Sequence, residues 1–154
     1  MNKNKILLKS ILTLSCTKNN VLCKNKKHAL EIISNIASKK LNISKRIIFN
    51  SLIKRERLGS TNIGNGIAIP HSILCQKKNF NPVGILLNLS EAINYNFVNN
   101  DTVFLLFALL IPVDQIKSHL YILSLIAKEL TDKYRIYRVR FAKNDEELYK
   151  IFTE

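Results

Sequence analysis

The feature that most constrains this chain is a pair of stretches, Val83 to Leu89 and Thr102 to Ile111, that are apolar almost throughout. A strand with one wet face alternates polar and apolar residues, because successive side chains point to opposite sides. Stretches without that alternation read as strands covered on both faces. The rest of the chain supplies candidate covers. Asn25 to Lys40 has apolar Ala29, Leu30, Ile32, Ile33, Ile36 and Ala37 at helical period. Ser44 can cap a second helix running towards Arg57, with Ile47, Ile48, Leu52 and Ile53 inward and Gly59 at its C-cap position. Asp114 can cap a long helix with Ile116, Leu120, Leu123, Ala127 and Leu130 on one stripe. Tyr134 to Phe141 reads either way: its alternation suggests a strand, while Arg135, Arg138 and Arg140 could line a helix. Asp145 opens a closing helix with Leu148, Ile151 and Phe152 inward. Helices and buried strands interleave, so the fold class is α/β.

A length of 154 residues suits one domain. Residues 1–11 read as an N-terminal tail and residues 12–154 as the domain. The longest apolar run, Val103 to Val113, has eleven residues and contains Pro112. A membrane-spanning helix needs about 20, so the run suits a buried strand. Met1 to Ser15 has the lysines and short apolar stretch of a weak signal peptide. Ser10 and Thr13 interrupt it and no small-residue cleavage site follows, so a soluble, uncleaved, cytoplasmic protein is expected. Cys16, Cys23 and Cys75 are odd in number and lack CxxC spacing, which implies no disulfide framework and suits a reducing compartment. No Cys/His pair has the spacing of a structural zinc site, and no metal or cofactor is expected. The net charge of +13 raises the question of nucleic acid. Many of the cations are lysines scattered among asparagines and isoleucines, all three with A+T-rich codons. The excess therefore carries little functional weight, and no nucleic-acid partner is expected.

One segment differs from its surroundings: Leu58-Gly-Ser-Thr-Asn-Ile-Gly-Asn-Gly-Ile-Ala-Ile-Pro-His71, which holds three of the four glycines. Gly64 and Gly66 permit positive φ and close approach of backbone to ligand, and successive amides there can form an anion nest. Ile67 to Ile69 suggest a short strand. Pro70 fixes its own φ and biases Ile69 towards extended geometry, so His71 is presented from a stiff strand end. Positioning of that kind suits a phosphoryl-accepting nucleophile. The glycines match neither dinucleotide-binding nor Walker-type spacing. By pattern alone, a histidine after proline in a loop is more often a surface or capping residue than a nucleophile. Arg55 reads as a solvated cation at a helix end, His119 as a histidine at the edge of an apolar stripe, and Ser60 and Thr61 as turn residues.

The longer stretch from Arg55-Glu-Arg-Leu to Ile-Pro-His71 resembles the phosphorylation-site signature of the mannitol/fructose-type enzyme IIA domains of the bacterial phosphotransferase system, nearest their stand-alone nitrogen-related branch. The likeness continues in Leu105-Leu-Phe-Ala-Leu-Leu-Ile-Pro-Val-Asp-Gln115, in Ser118-His-Leu-Tyr-Ile-Leu-Ser-Leu-Ile-Ala-Lys-Glu-Leu130, in Lys26-Lys-His-Ala-Leu-Glu-Ile-Ile33 and in Asp145-Glu-Glu-Leu-Tyr149. It covers nearly the whole chain from about Leu12 onward. The resemblance implies a three-layer α/β/α arrangement with a mixed central sheet flanked by helices. It implies that His71 carries phosphate on Nε2, that His119 is a second active-site histidine and that Arg55 assists transfer. Arg57 stands where the family has lysine, and Ser72 where it usually has glycine, which predicts an altered turn after His71. Ser60, Thr61, Gly64, Gly66 and nearby amides are expected to complete a phosphate cradle. The implied donor is a histidine-phosphorylated carrier protein of the nitrogen branch, and regulatory target proteins of nitrogen and potassium metabolism are the implied partners. A sugar-transport IIA subunit is the nearest alternative.

Overall fold

The computed structural model describes residues 3–96 and 101–154; Met1 and Asn2, the start of the expected tail, lie outside them. Residues 3–11 are not a tail but a helix, α1 (Lys3–Ile11), whose Leu8 and Ile11 are buried. The lysine-rich composition hides this, because only a few apolar residues on one side anchor the helix. Strand β1 (Leu12–Val21) follows directly, then α2 (Lys26–Leu41) and α3 (Lys45–Leu58). Asn25 caps α2, its side chain accepting from the His28 amide. The His28 ring serves the same turn, since its Nδ1 accepts from the Lys24 amide at 3.0 Å.

Three short strands come next: β2 (Asn62–Gly64), β3 (Ile67–Ala68) and β4 (His71–Leu74). The two apolar stretches become β5 (Val83–Asn96) and β6 (Asp101–Pro112), an antiparallel pair. The sheet runs β1-β5-β6-β3-β2, with β4 also on β6. β1 is parallel to β5, β3 and β4 are parallel to β6, and β2 is antiparallel to β3, so the sheet is mixed.

The missing alternation of β5 and β6 is explained by two cores. Ile85, Leu87, Leu106, Ala108 and Leu110 face a cluster built with Leu30 and Ile33 of α2 and Ile48 and Leu52 of α3. The intervening Leu86, Leu105, Phe107, Leu109 and Ile111 face the opposite cluster. That side is covered by α1, by α4 (His119–Leu130) and by α6 (Asp145–Thr153), with Val139 of α5 (Lys133–Val139) also in the cluster. The architecture is the expected three-layer α/β/α. Each fully buried strand side chain contributes roughly 1.5–3 kcal/mol of transfer free energy.

One open reading is decided and one expectation is corrected. Tyr134 to Phe141 is helical over α5, started by Asp132, whose carboxylate accepts from the amides of Tyr134 and Arg135. The segment after β6 is not one helix capped by Asp114. Val113–Ser118 is a 3-10 helix with a kink at Gln115 (φ −117°, ψ 25°), and α4 begins only at His119. Of the expected stripe, Leu123 and Ala127 pack against the core from part-buried positions. Ile122, Ile126 and Leu130 are buried, whereas Ile116 is 49% and Leu120 76% exposed. Among the described residues no helix is long and apolar enough to cross a membrane.

Candidate active site

The β6 strand explains why His71 is held where it is. β3 pairs with Leu105 and Leu106, and β4 pairs His71 with Leu109 and continues to Pro112. Between them Pro70, which has no amide proton, still accepts through its carbonyl from the Leu109 amide at 2.9 Å. His71 therefore opens a second strand rather than ending one, clamped to β6 on both sides of the proline. No turn follows it. Ser72 lies in the strand opposite Leu110, buried, with its hydroxyl hydrogen-bonded to that of Ser51 on α3. The expectation of an altered turn at Ser72 is thus replaced by a strand contact.

His71 is half-buried, and its two ring nitrogens have different partners. Nδ1 lies 2.8 Å from the Ile69 carbonyl, and Nε2 lies 3.2 Å from Nε of Arg55. A carbonyl can only accept and a guanidinium can only donate. The proton is therefore on Nδ1, and Nε2 presents its lone pair. Burial holds the ring below the usual histidine range; the Ile69 carbonyl opposes that shift, while the charge of Arg55 and the neighbouring His119 add to it. Arg55 is also anchored by an Nη1 hydrogen bond to the Gly59 carbonyl at 2.9 Å.

His119 is the first residue of α4, and its ring centroid lies 5.5 Å from that of His71. Its Nε2 is buried and has no hydrogen-bond partner. Burial, and then Arg55, hold it too below the usual range. The start of α4 contributes a positive dipole end at this point. His71, His119 and Arg55 thus converge on one open cleft of about 660 Å³, whose wall also includes Ser51, Ser72 and Leu58. The arrangement offers a neutral nucleophilic nitrogen beside a fixed cation and a second ring nitrogen. Among the described residues no group of three or more His, Cys, Asp or Glu side chains is placed to hold a metal.

The loop residues divide differently from the expected cradle. Ser60 is exposed and borders a recess shared with Arg55 and His71, and its hydroxyl accepts from the Asn62 amide at 3.2 Å. Thr61 borders the same recess, but its hydroxyl is buried and committed to Glu56. Gly64 and Gly66 line another recess with Asp101 and Thr102, apart from the cleft and the recess that His71 borders with Arg55. Their role here is the β2–β3 turn. Gly66 has φ +83°, and a Cβ there would lie 2.6 Å from the Phe104 ring.

One group was missed in the sequence: a buried network behind the site. The Glu56 carboxylate pairs with Lys26 Nζ at 2.8 Å, accepts from the Tyr95 hydroxyl at 3.0 Å and accepts from both the amide and the hydroxyl of Thr61. Burial, and then Glu56, push the Tyr95 phenol far up, so it stays a donor. A signal was present. An acid in the last turn of α3 and a lysine at the first position of α2 both sit at the wrong end of a helix dipole, and each answers the other.

Residues 10–154 match the family described as the phosphoenolpyruvate-dependent sugar phosphotransferase system, EIIA 2, and the chain belongs to that family. Its similarity within the family is to nitrogen regulatory proteins. That of Klebsiella oxytoca is 48% identical over 153 residues, covering 99% of this chain and 94% of the relative. That of Escherichia coli strain K12 is 46% identical, covering 99% and 93%. The crystal structure of nitrogen regulatory protein IIA-Ntr from Neisseria meningitidis superposes with a TM-score of 0.85 at 28% identity, covering 96% of this chain and 99% of that one.

Proposed function

We propose that this protein accepts a phosphoryl group on Nε2 of His71 from a histidine-phosphorylated carrier protein in the cytoplasm, and that its phosphorylation state regulates target proteins of nitrogen and potassium metabolism. One observation carries the reading: Nδ1 of His71 is committed to the Ile69 carbonyl, leaving Nε2 as a neutral acceptor that faces Arg55 and His119. Relatives at 46–48% identity that are nitrogen regulatory proteins favour this over a sugar-transport subunit.

In the transfer, the Nε2 lone pair forms a bond to phosphorus as the donor's nitrogen–phosphorus bond breaks, and that electron pair returns to the donor ring. No proton leaves His71. Positive charge spreads onto its ring, and the Ile69 carbonyl accepts a stronger hydrogen bond from Nδ1–H. The transition state is loose, with charge on three equatorial oxygens. Arg55 swings its Nε–H from the ring to those oxygens, keeping its charge. His119 Nε2, in its protonated tautomer, donates to the same group. The open cleft and the exposed Leu58 and Leu120 give a protein donor an apolar rim to meet.

The test is incubation with phosphoenolpyruvate, enzyme I and the carrier protein. An acid-labile, base-stable phosphohistidine is expected in the wild type and its loss in His71→Ala. Unmodified wild-type protein, in a mixture where the carrier itself becomes phosphorylated, overturns the proposal.

A further inference from the structure

A carboxylate buried behind the site is connected to His71 by an unbroken series of contacts. Glu56 accepts from the Thr61 amide at 3.3 Å and from the Thr61 hydroxyl. The Thr61 carbonyl accepts from the Ile69 amide at 3.0 Å, and the Ile69 carbonyl accepts from Nδ1 of His71 at 2.8 Å. Two residues, Thr61 and Ile69, thus stand between the acid and the ring, each held through both its amide N–H and its carbonyl. Glu56 is itself fixed on its far side by Lys26, whose ammonium also lies 4.6 Å from the Tyr95 ring centroid, and by the Tyr95 hydroxyl.

The placement is costly for a role in folding alone. An anion at the C-terminal end of α3 and a cation at the N-terminal end of α2 both oppose their helix dipoles. A buried ion pair is commonly replaceable by apolar residues without loss of stability. What an apolar replacement cannot do is grip the Thr61 peptide, and through it the Ile69 carbonyl that fixes the imidazole proton. A free histidine ring prefers its proton on Nε2, the atom that must be bare for attack, and the tautomer is set by the hydrogen bond the other nitrogen makes.

We propose that Glu56 is a positioning residue that selects the reactive Nδ1–H tautomer of His71 through Thr61 and Ile69. The role rests on the reading of His71 as phosphoryl acceptor. The geometric part, Glu56 setting the tautomer, is measurable without any transfer.

The experiment uses the full chain with histidine ring nitrogens labelled with nitrogen-15, comparing wild type with Glu56→Gln, Thr61→Val and Thr61→Ser. Arg55 is kept in all four. The wild type is expected to show His71 protonated at Nδ1 alone. Glu56→Gln loses the charge and one acceptor oxygen, and Thr61→Val loses the hydroxyl. Both are expected to show a resolved Nε2–H population, and Thr61→Ser to restore the wild-type spectrum. The carrier-to-His71 rate constant is expected to fall roughly fivefold in the first two, the weight of one ordinary hydrogen bond, with KM for the carrier unchanged. Folded Glu56→Gln and Thr61→Val proteins that keep a pure Nδ1–H ring would overturn the proposal, because the Ile69 carbonyl and Arg55 would then set the tautomer without Glu56. If Glu56→Gln does not fold, the Thr61 pair decides by the same criterion. If the wild type accepts no phosphoryl group, the functional reading fails, while the spectra still decide the relay.

Discussion

Removal of Arg55 should produce two effects of opposite appearance, more basic rings and slower transfer. The guanidinium sits 3.2 Å from Nε2 of His71 and lowers the proton affinity of both His71 and His119. In Arg55→Gln the cation is gone, so both rings should titrate higher than in the wild type, and a more basic imidazole is intrinsically a better nucleophile. Transfer should nevertheless slow. Hydrogen bonds to charged groups contribute about 1.5–3 kcal/mol, and loss of one such contact to the phosphoryl oxygens in the transition state corresponds to roughly ten- to 150-fold in rate. Arg55→Lys keeps the charge and loses the planar fork, so its rings should stay near wild type while its rate falls between the two. Proton NMR titration of the ring resonances and rapid-quench transfer from phosphorylated carrier measure both quantities. If the rings of Arg55→Gln titrate as in the wild type, or the rate is unchanged, the assignment of Arg55 to both the resting ring and the transition state is wrong.

Two further outcomes follow from the same geometry. The folded values of His71 and His119 lie below the ordinary 6.5, so as pH falls through that value the unfolded chain binds protons that the folded chain refuses. Stability should be complete above about pH 6.5 and decline below it, and urea midpoints compared at about pH 7 and about pH 5 should show a smaller decline in His71→Gln than in wild type. An identical decline in the two proteins would remove His71 from the account. Gly66→Ala forces a side chain onto φ +83° and into the Phe104 ring; it should lose roughly 1–3 kcal/mol in urea denaturation. It should also keep the wild-type transfer rate per folded molecule, since Gly66 lines a recess apart from the His71 cleft. A slower rate in the folded variant would return that turn to the phosphate cradle.

The expected roles divide on side-chain direction. Ser60, Thr61, Gly64 and Gly66 suit a phosphate cradle by type, yet the chain sends Thr61 inward to Glu56 and the two glycines to a turn beside Asp101. Type and spacing do not reveal which way a hydroxyl points when both solvent and a buried acid are within reach. The expected stripe holds from Leu123 to Leu130 and fails at Ile116 and Leu120, because the chain is kinked at Gln115 and the α-helix begins only at His119.

From the chain alone one can read the two-faced burial of β5 and β6, the helices at α2, α3 and α6, and the stiff Ile-Pro-His presentation. These depend on local period and backbone restriction, which a linear pattern records directly. Folding alone decides that Arg55 from one helix, His119 from the start of another and His71 from a strand meet at one cleft. It also decides that Lys26, Glu56, Thr61 and Tyr95 close a network behind them. Apart from Glu56 and Thr61, such encounters join residues at least 16 positions apart, and packing against a shared sheet, not any local preference, brings them together.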